Sequence, residues 1–140
     1  MVHFGTSIKE TRMAYLPNDY IGKLIGANLN STADQQVPIA LRGNTKYIIR
    51  KIVVTNVSTT LAVSLVAGGL YSGASKSGVT IVAAAQVYTA LTGSTKYLDL
   101  TIATGALTDI LSANPVFFSL TTAHGSAATA DIYVFGDLMN

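Results

Sequence analysis

The sequence predicts an all-β protein, an antiparallel β-sandwich of jelly-roll-like form preceded by an extended N-terminal arm. Three observations carry this expectation. Short runs of β-branched and aromatic residues recur at turn-separated intervals of about 8 to 12 residues, the spacing of sandwiches and barrels. Residues 46–58, KYIIRKIVVTNVS, are the densest β-forming run in the chain. Beyond residue 96, apolar and polar side chains alternate with the period of two that a half-buried strand requires. About seven to nine strands are expected on this spacing.

Residues 1–30 read as the arm, with the apolar residues of 20–29 spaced for a short strand or an ordered extended segment. They hold Glu10 and the turn signal Leu16-Pro17-Asn18-Asp19. Val2, Phe4, Ile8, Met13, Tyr15, Leu16, Ile21, Leu24 and Ile25 are too apolar for a free tail and too irregularly spaced for a core element. Such a segment needs a groove on another subunit, and an exposed strand edge would supply one. Residues 31–140 then form the sandwich domain. After a polar loop at 30–36, residues 37–41 are expected as an edge strand, because Pro38 cannot donate to a central ladder.

The strand at 46–58 is apolar on both phases: Tyr47, Ile49, Val53 and Val57 on one, Ile48, Ile52 and Val54 on the other. Either a bulge at Arg50-Lys51 swaps the phase, or both faces are covered, one by a second sheet and the other by a partner subunit or the arm. Leu61, Val63 and Leu65 predict a half-buried strand, interrupted by Gly68-Gly69 at a bulge or a close backbone approach. Residues 72–78 form a loop tipped by Lys76, and 79–82 a short strand. Residues 83–91 pull two ways, with three alanines favouring helix and Val87-Tyr88-Thr89 favouring strand. Leu98, Leu100 and Ile102 should face inward, as should Val116, Phe118 and Leu120, with a short strand around Ile110-Leu111 between them. The last strand, 132–135, is again apolar on both phases.

Composition removes several function classes. A chain of 140 residues is one domain on length, and it has no Cys for a disulfide or a thiolate metal site. Charged residues make up 11% of it and the net charge is +2, with Lys and Arg scattered, so no basic stripe awaits nucleic acid. No run of about 18 apolar residues could span a membrane as a helix. Without Trp, the chain lacks the aromatic girdles of a membrane barrel. Lys9, Glu10 and Arg12 fall where a signal peptide would be apolar, so synthesis in a cytoplasm is expected.

No catalytic, cofactor-binding or metal-ligating residue is nominated, and no enzyme activity is expected. In the loop Gly73 to Gly78, Lys76 follows Ser75 rather than Gly and no helix opens behind it, so the phosphate-cradle pattern fails. The two histidines, His3 and His124, are far apart in sequence, and the seven acidic residues are dispersed. Tyr71, Tyr88, Tyr97 and Phe117 would make a stacking surface for sugars if all four were exposed.

Three stretches carry a resemblance: KYIIRKIVVTNVS, then AGGLYSGASKSGVTIVAAAQVYTALTGSTKYLDLTIA, then VFFSLTTAHGSAATADIYVFG. Together they resemble small structural proteins of tailed-bacteriophage heads, the capsid decoration or cement type. The likeness is one of Ser-, Thr- and Ala-rich strands with few charges, so no site residue is carried over. It implies a virion protein on the outer capsid surface, with the major capsid protein and its own copies, as a trimer, for partners. The alternative is a carbohydrate- or receptor-binding module of a head fibre or tail.

Overall fold

The computed structural model describes residues 15–62 and 64–140, with the backbone alone for 15–18. Among these residues eight strands form: β1 (Tyr15–Asn28), β2 (Gln35–Val37), β3 (Lys46–Thr55), β4 (Ala67–Gly73), β5 (Ser77–Val82), β6 (Tyr97–Asp99), β7 (Val116–Thr122) and β8 (Thr129–Met139). Among the described residues there is no α-helix, only a 3-10 turn at Thr104–Leu107. The strands make two four-stranded antiparallel sheets, ordered β1-β8-β3-β6 and β2-β7-β4-β5. Every connection crosses from one sheet to the other except the β4–β5 hairpin.

That order has a simple origin. β4 pairs with β5, β3 with β6, β2 with β7 and β1 with β8, so the chain behaves as one long hairpin wound up from its tip. The pairs β3–β8 and β4–β7 then join the windings. Side chains from both sheets meet in one core, including Ile21, Tyr47, Ile52 and Val134 from the first and Val37, Leu70, Ile81 and Phe118 from the second. Tyr88 packs edge-to-face on Phe118 at 6.1 Å and donates its hydroxyl to the Gly68 carbonyl at 3.0 Å. Burial pushes the Tyr47 and Tyr88 phenols well above the usual tyrosine range.

The two-phase pattern of β3 is resolved by a bulge. Ile49 pairs with Gly136 and Lys51 with Phe135, so Arg50 is the extra residue. Tyr47 and Ile49 point inward before it, Ile52 and Val54 after it, and all four are fully buried. Arg50 turns its guanidinium to the buried Asp137, Nε to Oδ2 at 2.9 Å, and donates through Nη1 to the Leu107 carbonyl at 2.9 Å. Opposite the bulge the backbones approach so closely that a Cβ on Gly136 would lie 2.1 Å from the Ile48 oxygen. The Gly68-Gly69 pair likewise marks a close approach, because a Cβ on Gly69 would lie 1.9 Å from the Val82 oxygen.

Several expectations need correction. Residues 15–28 of the expected arm form β1, paired with β8 from Tyr15↔Met139 to Asn28↔Thr129, so the boundary at 30/31 cuts a strand from its own sheet. Three register shifts, at Leu16/Asp19, Tyr20/Gly22 and Leu24/Ala27, scramble the alternation and explain why the segment looked irregular. The part of the expected arm at 1–14 lies outside the described residues. In place of the expected strand at 61–65, residues 61, 62, 64 and 65 are turn or irregular: Leu61 is buried, Leu65 is 77% exposed and pairing begins at Ala67. Residues 83–91 are neither helix nor strand but a turned loop that puts Tyr88 and Leu91 into the core. Around Ile110-Leu111 a single bridge, Tyr47↔Leu111, replaces the expected strand. The edge strand near Pro38 is β2, which stops at Val37.

The bulge yields a direct test. Gly136→Ala should cost more than about 3 kcal/mol in urea denaturation, because the added methyl meets backbone that cannot yield. Gly105→Ala, with open space around it, should stay within about 0.5 kcal/mol of the parent.

Candidate functional site

The hairpin tip between β4 and β5 is a pinned turn. Ser75 and Lys76 both have positive φ, 57° and 59°, and the Ser77 N–H donates to the Ala74 carbonyl at 3.3 Å, the geometry of a type I′ turn. The Lys76 ammonium donates to Ser119 Oγ at 3.0 Å. Asp34 accepts the Ser75 N–H at 2.6 Å, a bond that holds its carboxyl below the usual range. These groups tie the tip to β7 and to the loop before β2. Lys76 is thus engaged within the chain rather than poised for a phosphate.

His124 donates its backbone N–H to the Leu29 carbonyl at 2.8 Å and joins no cluster of ligands. Among the described residues no three His, Cys, Asp or Glu side chains lie close enough to hold a metal ion. A cleft of about 300 Å³ opens between β1 and residues 38–40, lined by Tyr20, Ile21, Gly22, Lys23, Pro38, Ile39, Ala40 and Arg42. Arg42 closes one end of it, paired with Asp19 and donating to the Tyr20 carbonyl. The cleft is mostly apolar and open.

The proposed sugar platform does not assemble. Tyr88 is fully buried, Tyr71 is 4% exposed, and Phe117, paired with Tyr71 in the second sheet, is half-buried and apart from Tyr97 in the first. Of the four rings, only Tyr97 is largely exposed, at 52%.

A different surface does assemble, on the outward face of β1-β8-β3-β6. Directly paired residues share a face, so the register defines rows across the sheet. One row runs Tyr20, Phe135, Lys51; the next Lys23, Tyr133, Val53, Asp99; the third Asp131, Thr55, Tyr97. The Tyr20 ring lies 6.0 Å from Tyr133 and 5.9 Å from Phe135, a tilted aromatic cluster open to solvent on one side. Beside it Val53 is 6% exposed although it points away from the core.

Charge collects at one margin of this face. The Lys51 ammonium stands 5.9 Å over the Tyr97 ring and 3.7 Å from Asp99, and the Tyr97 hydroxyl donates to the same carboxylate at 3.3 Å. The Tyr97 phenol and then the Asp99 charge raise the Lys51 pKa, favouring its cationic form.

Tyr20, Tyr133 and Phe135 were missed as surface residues. Their signal was present: the outward phase of 132–135 is aromatic, which a strand with one wet face does not need. No family model, no curated protein and no solved structure matches the chain.

The margin residues should be separable from folding. Lys51→Ala and Tyr97→Ala should each change the unfolding free energy by less than about 1 kcal/mol, as exposed pairs do. Phe118→Ala, by contrast, should cost about 3 to 5 kcal/mol. Chemical denaturation of the three variants makes the comparison.

Proposed function

We propose that this chain is a non-enzymatic structural protein of a virus particle, a decoration protein on the outside of a tailed-bacteriophage capsid. There it binds the major capsid protein, associates with its own copies and stabilises contacts between capsomers. The observation that carries this reading is the outward face of the first sheet, where aromatic and aliphatic side chains form a continuous patch rimmed by charge, the composition of a protein contact. The strand order supports reading the two sheets as a jelly-roll sandwich: pairs 1–8, 2–7, 3–6 and 4–5 are those of two rolled Greek keys. Jelly rolls serve as capsid domains and as lectins, so the fold alone does not choose between them; the face supports the first. The resemblance of its Ser-, Thr- and Ala-rich strands to phage head proteins points the same way.

Heads stripped of the protein should release DNA at a lower temperature or a milder osmotic shock than decorated heads, and adding the protein back should restore them. Equal stability of stripped and decorated heads would end this reading.

A second reading has one observation in its favour. Tyr97 presents an exposed ring with a lysine and a carboxylate beside it, which is the aromatic-plus-polar arrangement that grips a sugar. Under it, a glycan array gives hits that Tyr97→Ala abolishes, whereas an array without hits removes it.

A further inference from the structure

We infer that the outward face of β1-β8-β3-β6 is the contact between two copies of this chain, packed face to face about a two-fold axis that runs along the strands. The inference rests on the assembly reading above and names the partner at that face.

The register supplies the argument. The middle row reads Lys23, Tyr133, Val53, Asp99 across the four strands: cation, aromatic, aliphatic, anion. A two-fold axis between β8 and β3 exchanges the ends of that row. It sets Lys23 of one copy opposite Asp99 of the other, twice, and Tyr133 opposite Val53. In the neighbouring row it sets Lys51 opposite the Phe135 ring, a cation over an aromatic face. One patch therefore complements itself, as an isologous contact requires. A net charge of +2 adds little repulsion between copies.

The size is adequate. Strands of 10 and 11 residues, β3 and β8, run about 33 Å; with β1 they span about 14 Å, and the three-residue β6 adds a strip of about 10 by 5 Å. The face therefore offers roughly 500 Å² per copy, about 1,000 Å² in the pair, the threshold of a specific interface. Sheets stacked this way pack about 10 Å apart, which the half-buried rings of Tyr133 and Phe135 can fill.

This geometry replaces the trimer expected from sequence, since a threefold ring would need a second, different patch on each copy. The test is a charge swap on the full chain, followed by sedimentation equilibrium at about 0.1 M salt, where surface charges still act. The parent should be a dimer. Lys23→Asp and Asp99→Lys, each placing like charges together at both ends, should each weaken it about tenfold or more, and the double variant should recover most of the loss. Both side chains are exposed, so circular dichroism should be unchanged.

As a second measurement, the chain has no Cys, so Thr55→Cys and Gln36→Cys carry single labels on opposite sheets. Labelling by maleimide at 55 that speeds up in the Lys23→Asp background, with labelling at 36 unchanged, supports the contact. A monomeric or trimeric parent, single swaps without effect, a double swap that fails to recover, or labelling at 55 that Lys23→Asp leaves unchanged would each overturn it. Head binding measured on the same variants separates the two claims. A chain that binds heads as a monomer removes this contact and leaves the decoration reading, and a dimer indifferent to heads does the reverse.

Discussion

One extra residue in β3 governs both surfaces of the first sheet. In a regular strand the side-chain period of two would carry Tyr47 and Ile49 inward and then drive Lys51 and Val53 into the core, with Ile52 and Val54 in solvent. Arg50 absorbs the slip. Four apolar residues then serve the core, while Lys51, Val53 and Thr55 form the outward file that meets Phe135, Tyr133 and Asp131. The bulged residue is held by its own side chain, since its guanidinium reaches Asp137 on β8 and the carbonyl of Leu107 in the 3-10 turn. Gly136 supplies the space. Core packing, the position of the 3-10 turn and the outward patch thus depend on the same local distortion.

The edges of the sheets point to faces as the means of association. An open edge invites strand addition, and folded proteins blunt such edges. Here β2 and β6 are three residues long. On β1, the Ile21 carbonyl takes the Ala40 N–H at 2.6 Å and Gly22 bridges Ile39. On β5, the Ile81 carbonyl takes the Ala103 N–H at 2.8 Å and Val82 bridges Ile102. The edge beside Pro38, expected to receive an arm, is further occupied by Gln35, whose side-chain amide exchanges two hydrogen bonds with the backbone of Asn28. Backbone groups at these edges are largely answered within the chain, whereas the half-buried rings of Tyr20, Tyr133 and Phe135 stay open to solvent on one side.

What the sequence made legible follows from how each strand pairs. β6 and β7 could be read directly because their alternation is unbroken: Leu98, Leu100 and Ile102 turn inward, as do Val116, Phe118 and Leu120. The bulge in β3 was also legible, since two polar residues, Arg50 and Lys51, stand together in an apolar run. β1 was legible only in part: residues 20–29 read as a short strand or an ordered extended segment, but three register shifts in 14 residues blur the period and hid the strand's length and its place in the sheet. Tyr88 misled for another reason: a loop without regular structure can still bury a ring, and only the Gly68 carbonyl it reaches explains where that ring points. Of the candidate face, the sequence showed that 132–135 was apolar on both phases. Which residues it met across the sheet required the register.

The scarcity of charge sharpens the meaning of the charges that remain. With charged residues at 11%, few are left for general solubility, and among the described residues three ion pairs tie together distant parts of the chain: Arg42 with Asp19, Arg50 with Asp137, and Lys51 with Asp99. The first joins β1 to the loop before β3, and the second locks the bulge to β8. The third is the most exposed, its partners at 48% and 55% against 40% and 39% for the first, so it contributes little to holding β6 on β3. A pair of that kind is poorly explained by stability. It is better explained by where it sits, at the rim of an aromatic patch on an otherwise weakly charged surface, since rim charges choose partners and orient them more than they strengthen a contact.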